Sequence, residues 1–298
     1  MSQASDMVRK NFKAGDDKRD AGLATPPDVV RFDDIAYGQD EDQVLDVYRP
    51  RGAEGQRLAV IVSVHGGGWV YGNKERYQYY CMDLARRGFA VVNFTYRLAP
   101  EHKFPASLED TNSVFAWVLS NGAQYGFDAA NIFAVGDSAG AHCLGLYAGL
   151  CTNPTFAARF PFTPPAGFAP KAIALNCGAY VIDLTSGTTD DLTKSLMADF
   201  LPQGGTRDEL EAINVLGCVT EKYPPVFLMT STGDFLRGQA PLLRDKLDAC
   251  SVPHVSRFYA AGEADLGHVF HLNVRSEAAR LCNDEECSFF ERLARQVR

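Results

Sequence analysis

Residues 131–150 read NIFAVGDSAGAHCLGLYAGL, and this stretch decides the fold. An apolar run of strand length passes through Gly136-Asp137-Ser138-Ala139-Gly140 into a longer apolar pattern of helical length. Glycines flanking a serine at such a junction permit a sharp, strained turn that presents the hydroxyl above the C-terminal edge of a sheet. The backbone N–H groups that open the following helix favour negative charge beside it. The stretch therefore reads as the strand, turn and helix of one βα unit.

The same rhythm extends in both directions. Nearly continuous apolar runs at 58–64 (LAVIVSV), 89–95 (FAVVNFT), 171–176 (KAIALN), 225–230 (PVFLMT) and 254–259 (HVSRFY) have the character of strands covered on both faces. Helices are predicted between them at 77–87, 107–120, 139–151, 238–250 and 274–296. Residues 33–37 and 43–48 alternate more strongly and predict a peripheral antiparallel pair. The expectation is an α/β fold: a mostly parallel, doubly wound sheet of about eight strands. Two regions break the rhythm. Residues 1–30 are polar and helix-like up to the Pro26-Pro27 breaker, and residues 180–222 carry helical segments around 189–201 and 207–217. An insertion of that length reads as a lid or cap. The expected organisation is an N-terminal cap segment, 1–30, and a catalytic domain, 31–298, with a cap insertion at 180–222.

Composition narrows the function classes. The 298 residues are 46% hydrophobic and 22% charged, with a net charge of −8, which lacks the basic footprint of a nucleic-acid binder. The longest clear apolar run is only strand-length, so no membrane span is expected. The N-terminus mixes both charge signs and has no apolar targeting core, pointing to a cytoplasmic protein. Eight cysteines lack any CxxC or zinc-finger spacing and read as reduced thiols, without a disulfide or metal framework.

Ser138 is the candidate nucleophile. His65-Gly66-Gly67-Gly68-Trp69 follows the strand ending at Val64, and its glycines let backbone N–H groups approach a substrate carbonyl. Gly67 and Gly68, joined by Ala139, are the candidate oxyanion donors, each worth ~3–4 kcal/mol to acyl transfer. A phosphate-binding loop is excluded by the missing GK[ST]. Among six histidines, His268 lies in a loop after the last strand, where it can hang over Ser138; His271 is its nearest competitor and is expected to start the helix or line the pocket. Asp234 follows the strand PVFLMT, where the chemistry of an open α/β sheet belongs, whereas Glu263 and Asp265 sit inside the histidine's own loop. The chain order is Ser138, Asp234, His268.

With HGGGW at 65–69, YRLAPEHKFPA at 96–106, GDSAG at 136–140, GDFLR at 233–237 and GHVF at 267–270, the chain resembles the hormone-sensitive-lipase-like esterases of the α/β-hydrolase superfamily. The resemblance covers about residues 30–298. It implies an α/β-hydrolase fold with a helical cap, Ser138, Asp234 and His268 as the catalytic residues, and Gly67 and Gly68 as the oxyanion glycines. It implies no cofactor. Members of the family often form homodimers, and no stretch of this sequence marks such an interface. Two departures stand out: Ala141 where the family often has a further glycine, and Asp234-Phe235-Leu236-Arg237-Gly238 where DPLRD is common.

The leading expectation is a serine carboxylesterase cleaving a small-molecule acyl or aryl ester through an acyl-enzyme, with activity falling in acid as the imidazole protonates. HGGGW also fits kynurenine-formamidase and feruloyl- or acetyl-esterase branches, which keep the same site. Gibberellin receptors on this scaffold lack the histidine that this chain retains at position 268. Trp69, Tyr71, Tyr180 and His271 are expected to contact substrate, with Phe12, Leu196 and Phe200 as further wall candidates or cap core.

Overall fold

Each apolar run becomes a strand of one sheet. The computed structural model describes residues 2–184, 189–260 and 266–295. The chain starts with α1 (Gln3–Asp20), β1 (Val29–Ala36), β2 (Val44–Pro50), β3 (Leu58–Val64), α2 (Lys74–Ala85) and β4 (Ala90–Phe94). Next come α3 (Ala106–Tyr125), β5 (Phe127–Asp137), α4 (Ala139–Thr152), α5 (Pro154–Ala157) and β6 (Ile173–Asn176). The segment before β7 (Val226–Ser231) carries α6 (Asp191–Phe200), α7 (Arg207–Ala212) and α8 (Val215–Cys218). Last are α9 (Gln239–Ala249), β8 (His254–Tyr259) and α10 (Glu277–Ala294).

The eight strands lie in the order β1-β2-β4-β3-β5-β6-β7-β8. β1 pairs antiparallel with β2 and β2 with β4, while β3 to β8 run parallel. The chain leaves β3 for β4 on one side and then returns to place β5 on the other. The strand order therefore reverses between β3 and β5, where an open α/β sheet holds its ligand. Strand alternation builds two cores. Val60, Val62, Val64, Ile132 and Ala134 face the core under α3, α4 and α9, while Ile61, Phe133 and Val135 face the one under α2 and α10.

The turn into α4 explains its glycines. A Cβ on Gly140 would run into the carbonyl oxygens of Val64 and His65, and one on Gly136 would lie 2.7 Å from the Gly140 oxygen. Only glycine at 140 lets α4 start hard against the end of β3, and α4 is then buried from Ala139 to Leu150.

The two irregular regions meet. The hydroxyls of Ser2, which caps α1, and of Ser5 within it donate to Asp199 Oδ2 on α6, at 2.6 and 2.5 Å. Arg9 donates to the Val70 and Ala99 carbonyls, and Arg19 to that of Arg76. The helical pattern at 207–217 resolves into two helices because the Asn214 side chain accepts from Leu216 N–H and starts α8 afresh. Similarly, Ser276 caps α10, leaving Val274 outside it; Leu281 is exposed, and position 297 lies outside the described residues. No helix among the described residues is long and apolar enough to cross a membrane.

Candidate active site

Ser138 sits at the end of β5 with φ 53° and ψ −119°, a strained conformation for a residue with a Cβ. Its N–H donates to the Asn176 carbonyl (2.9 Å), and its own carbonyl accepts from His142 N–H (3.1 Å). Both bonds hold the turn from the backbone, leaving the side chain to the cavity above. The loop after β3 is pinned from below. The buried His65 ring stacks on Tyr96 at 3.9 Å, and the Tyr77 hydroxyl accepts from Gly66 N–H while donating to Asp137 Oδ2, both at 2.8 Å. Gly67 has φ 124°, and a Cβ there would strike the Tyr71 carbonyl. Among the described residues neither Gly67 nor Gly68 N–H donates to a protein acceptor. Ala139 opens α4, and no side chain caps that helix.

His268 Nδ1 lies 2.7 Å from Asp234 Oδ1. Asp234 is fully buried; its Oδ1 also accepts from Leu236 N–H (2.8 Å) and its Oδ2 from the Thr230 hydroxyl (2.6 Å). Burial alone would raise this carboxyl's pKa, but the bonds from His268 and Thr230 prevail and hold it below the ordinary value. An ionised acceptor fixes the proton on Nδ1 and leaves Nε2 as the free nitrogen. The two loops are clamped together by Gly233 N–H donating to the Leu266 carbonyl (2.8 Å). Phe235, 69% exposed, lays its ring 4.2 Å from the imidazole.

Two cavities meet at Ser138. The larger, about 700 Å³, is walled by Val8, Trp69, Leu196 and Met197 with Gly68 and Ala139 at its base. The smaller, about 280 Å³, is walled by Asp16, Tyr71, Gly67 and His268. Phe12 and Phe235 line both. Thus the structure brings Ser138, His268, Gly67, Gly68, Ala139, Trp69 and Tyr71 to one place, with Asp234 directly behind the imidazole.

Two expected contacts are corrected. Tyr180 is fully buried beside the larger cavity, its hydroxyl donating to the Leu175 carbonyl (3.2 Å). His271, 0% exposed, lies in a single 3₁₀ turn (Phe270–Leu272) that swings its ring edge-on to Tyr80 at 5.1 Å, away from both cavities. Phe200 stands behind the wall, stacked on Trp69 at 4.9 Å. Glu263 and Asp265 lie outside the described residues. Sequence reasoning missed Val8 and Asp16 of α1 as wall residues; the signal available was Val8 and Phe12 four apart, one face of a helix.

Beneath the site lie two buried acids. Burial pushes Asp137 and Glu286 up to about 7. Glu286 accepts from the Tyr80 hydroxyl (2.9 Å) and the Asn176 amide (2.7 Å). The Cys177 thiol, Asp234 and His268 offer ligand atoms within 4.8 Å of one another. The carboxylate and imidazole there are already bonded to each other, burial raises the thiol's pKa, and the thiol donates to Met229 Sδ (3.8 Å), so the thiol reads as packing behind the site.

A family model described as BD-FAE matches residues 45–247. Esterase LipC of Mycobacterium tuberculosis is 35% identical over 129 residues, 43% of this chain and 32% of LipC, so that match spans about a third of the relative. Carboxylesterase NlhH of the same species is 28% identical over 249 residues, 77% of this chain and 74% of NlhH. Esterase B of Lactobacillus rhamnosis superposes with a TM-score of 0.89 at 26% identity, covering 98% of this chain and 94% of that one. Esterase B is also solved inhibited by a C4-C4 SN3 tributyrin phosphonate, TM-score 0.88 at 25% identity, covering 99% of this chain and 97% of that one. The family match over most of the sheet, the esterase relatives and the shared architecture together place the chain in the BD-FAE family, as a carboxylic ester hydrolase of the α/β-hydrolase fold.

Proposed function

We propose that the protein is a serine carboxylesterase for short- to medium-chain acyl or aryl esters. Ser138 is the nucleophile, His268 its base, Asp234 the residue that orients the base, and Gly67, Gly68 and Ala139 the oxyanion donors. The observation that carries this reading is Ser138 on its strained turn, sharing a cavity with an imidazole whose Nδ1 is held 2.7 Å from a buried carboxylate.

The chemistry runs in two halves. Nε2 of His268 takes the Ser138 proton as Oγ bonds to the ester carbonyl carbon, and the carbonyl oxygen gains the negative charge that the three N–H groups stabilise. The tetrahedral centre collapses, the C–O bond to the alcohol breaks, and His268 delivers its proton to that oxygen. Water then repeats the sequence on the acyl-enzyme, releasing the acid and restoring Ser138. Residues 1–30 and 180–222 serve as the cap, supplying Val8 and Leu196 to the larger cavity. A mostly apolar chamber of about 700 Å³ suits a short or medium acyl chain, in keeping with the butyryl-type inhibitor of esterase B.

The test is a series of p-nitrophenyl acetate, butyrate, octanoate and decanoate with wild type and Ser138→Ala. The expected outcome is an optimum at or below octanoate, with a fall of about 1000-fold or more in the folded variant. A Ser138→Ala protein within tenfold (~1.4 kcal/mol) of wild type overturns the mechanism, and a decanoate optimum overturns the acyl range.

A further inference from the structure

The smaller cavity beside Ser138 differs from the larger one in holding the imidazole, and that position gives it a role. Resting on the serine mechanism above, the proton that leaves Ser138 is delivered by His268 to the alcohol oxygen of the ester. The alcohol must therefore lie on the imidazole side of the serine. His268 lines the smaller cavity and, among the described residues, not the larger. This assigns the acyl chain to the larger chamber and the alcohol to the 280 Å³ one.

The alcohol chamber is walled by hydrogen-bonding groups. Asp16 of α1 projects into it with Oδ2 accepting from the Tyr71 hydroxyl (2.8 Å) and Oδ1 accepting from Arg19 Nη1 (2.8 Å). Each carboxylate oxygen keeps acceptor capacity after one such bond. Phe12 fixes Tyr71 edge-on at 5.9 Å, so the pair is held before substrate arrives. Asn11 adds an amide at the rim, and the floor carries Asp137, 2% exposed, with Tyr77. Arg19 is shared between Asp16 and Asp20, and Asp17 pairs with both Lys13 and Arg76, so the charges around Asp16 cancel as a group. A balanced carboxylate with spare lone pairs suits neutral hydroxyl donors better than a cation.

We propose that Asp16 and Tyr71 form a recognition subsite for a hydroxyl-bearing alcohol, so that the preferred substrates are short-chain acyl esters of polyols such as glycerol or a sugar. Asp16 accepts hydrogen bonds from the free hydroxyls of the departing polyol, and Tyr71 positions that carboxylate. Esters of simple alkanols bring no hydroxyl to this carboxylate. The groups that would bond a polyol then go unanswered in the complex, which is how a polar site discriminates against an analogue lacking the donor.

The test compares kcat/KM for glycerol monobutyrate, ethyl butyrate and butyrylcholine in wild type, Asp16→Ala, Tyr71→Phe and Ser138→Ala. The expected result is a glycerol-to-ethyl preference of about tenfold or more in wild type, cut about tenfold by Asp16→Ala and severalfold by Tyr71→Phe. The readout is the ratio, so a general loss of activity in either variant leaves it interpretable, and Tyr71→Phe carries the test alone if Asp16→Ala fails to fold. A wild-type ratio near one, a preference for butyrylcholine, or a ratio unmoved in both variants overturns the subsite. Activity surviving in Ser138→Ala instead overturns the serine mechanism beneath it, so the two failures are distinct.

Discussion

Single residues here are legible in sequence where their role is local stereochemistry. The glycines about Ser138 and the glycines after Val64 are demanded by the shape of their own turns, and a turn's shape is written in a few consecutive residues. Gly140 makes this testable. A methyl there meets the carbonyl oxygens of Val64 and His65, backbone atoms that cannot rotate away. Gly140→Ala is expected to lower Tm by about 5 °C or more and to remove most esterase activity by displacing Ser138. Gly238→Ala, at a right-handed helical position with φ −68° and open space around it, should stay within about 1 °C. Thermal melts of the two variants check the contrast, and equal melts would show that the turn can relax. Tyr180 and His271 were beyond this kind of reading. Whether an aromatic beside a site faces its cavity or the packing behind it depends on how neighbouring elements close, and in His271 a single 3₁₀ turn decides.

At the scale of elements, apolar spacing located nearly every strand and helix but misjudged what the buried faces contain. α10 presents Ala279, Cys282, Glu286 and Phe290 inward, a regular three-or-four spacing in which an acid stands where a hydrophobic residue is expected. A carboxyl in a helical period reads as solvent face. Only the partners, Tyr80 on α2 and Asn176 on β6, show why it can be buried. The consequence is a pH dependence of stability. Burial holds the Glu286 pKa up at about 7 in the folded protein, against about 4.3 when unfolded. The stability this group contributes is therefore complete below the unfolded value and is lost as pH rises through about 7. Glu286→Gln cannot ionise and keeps an oxygen for Asn176. Its Tm relative to wild type should rise by several degrees between pH 5 and pH 8. Asp137, also held up to about 7 chiefly by burial and least by the Glu286 charge, titrates in both proteins, so the difference reports mainly on Glu286. A Tm difference that stays constant across that range would mean the carboxyl is already ionised in the fold at pH 5.

At the scale of the molecule, the sheet's strand order and the meeting of the two chain regions above it are long-range facts that no local pattern encodes. Sequence marked residues 1–30 and 180–222 as interruptions of the βα rhythm, yet could not say that Asp199 takes hydrogen bonds from Ser2 and Ser5, nearly two hundred residues away. That latch matters because α1 contributes to both cavities: Val8 and Phe12 to the larger, Phe12 and Asp16 to the smaller. Burial raises Asp199 while the bonds from Ser2 and Ser5 lower it, and the bonds win, leaving an ionised carboxylate to anchor the start of α1. The contact is polar, and Val8 of α1 and Met197 of α6 stay packed in the sheet's core without it. Asp199→Ala should therefore leave the unfolding transition within a few degrees of wild type while the amides of α1 exchange faster. Esterase kinetics should change in KM more than in kcat, since the walls loosen while Ser138, Asp234 and His268 stay on the sheet edge. A severalfold rise in KM with kcat held within about twofold is the expected outcome. Hydrogen exchange across residues 3–20 with parallel butyrate-ester kinetics measures both halves, and unchanged α1 protection with unchanged KM would show that the remaining ties of α1, from Arg9, Arg19, Tyr71 and Arg275, hold the helix over the site without Asp199.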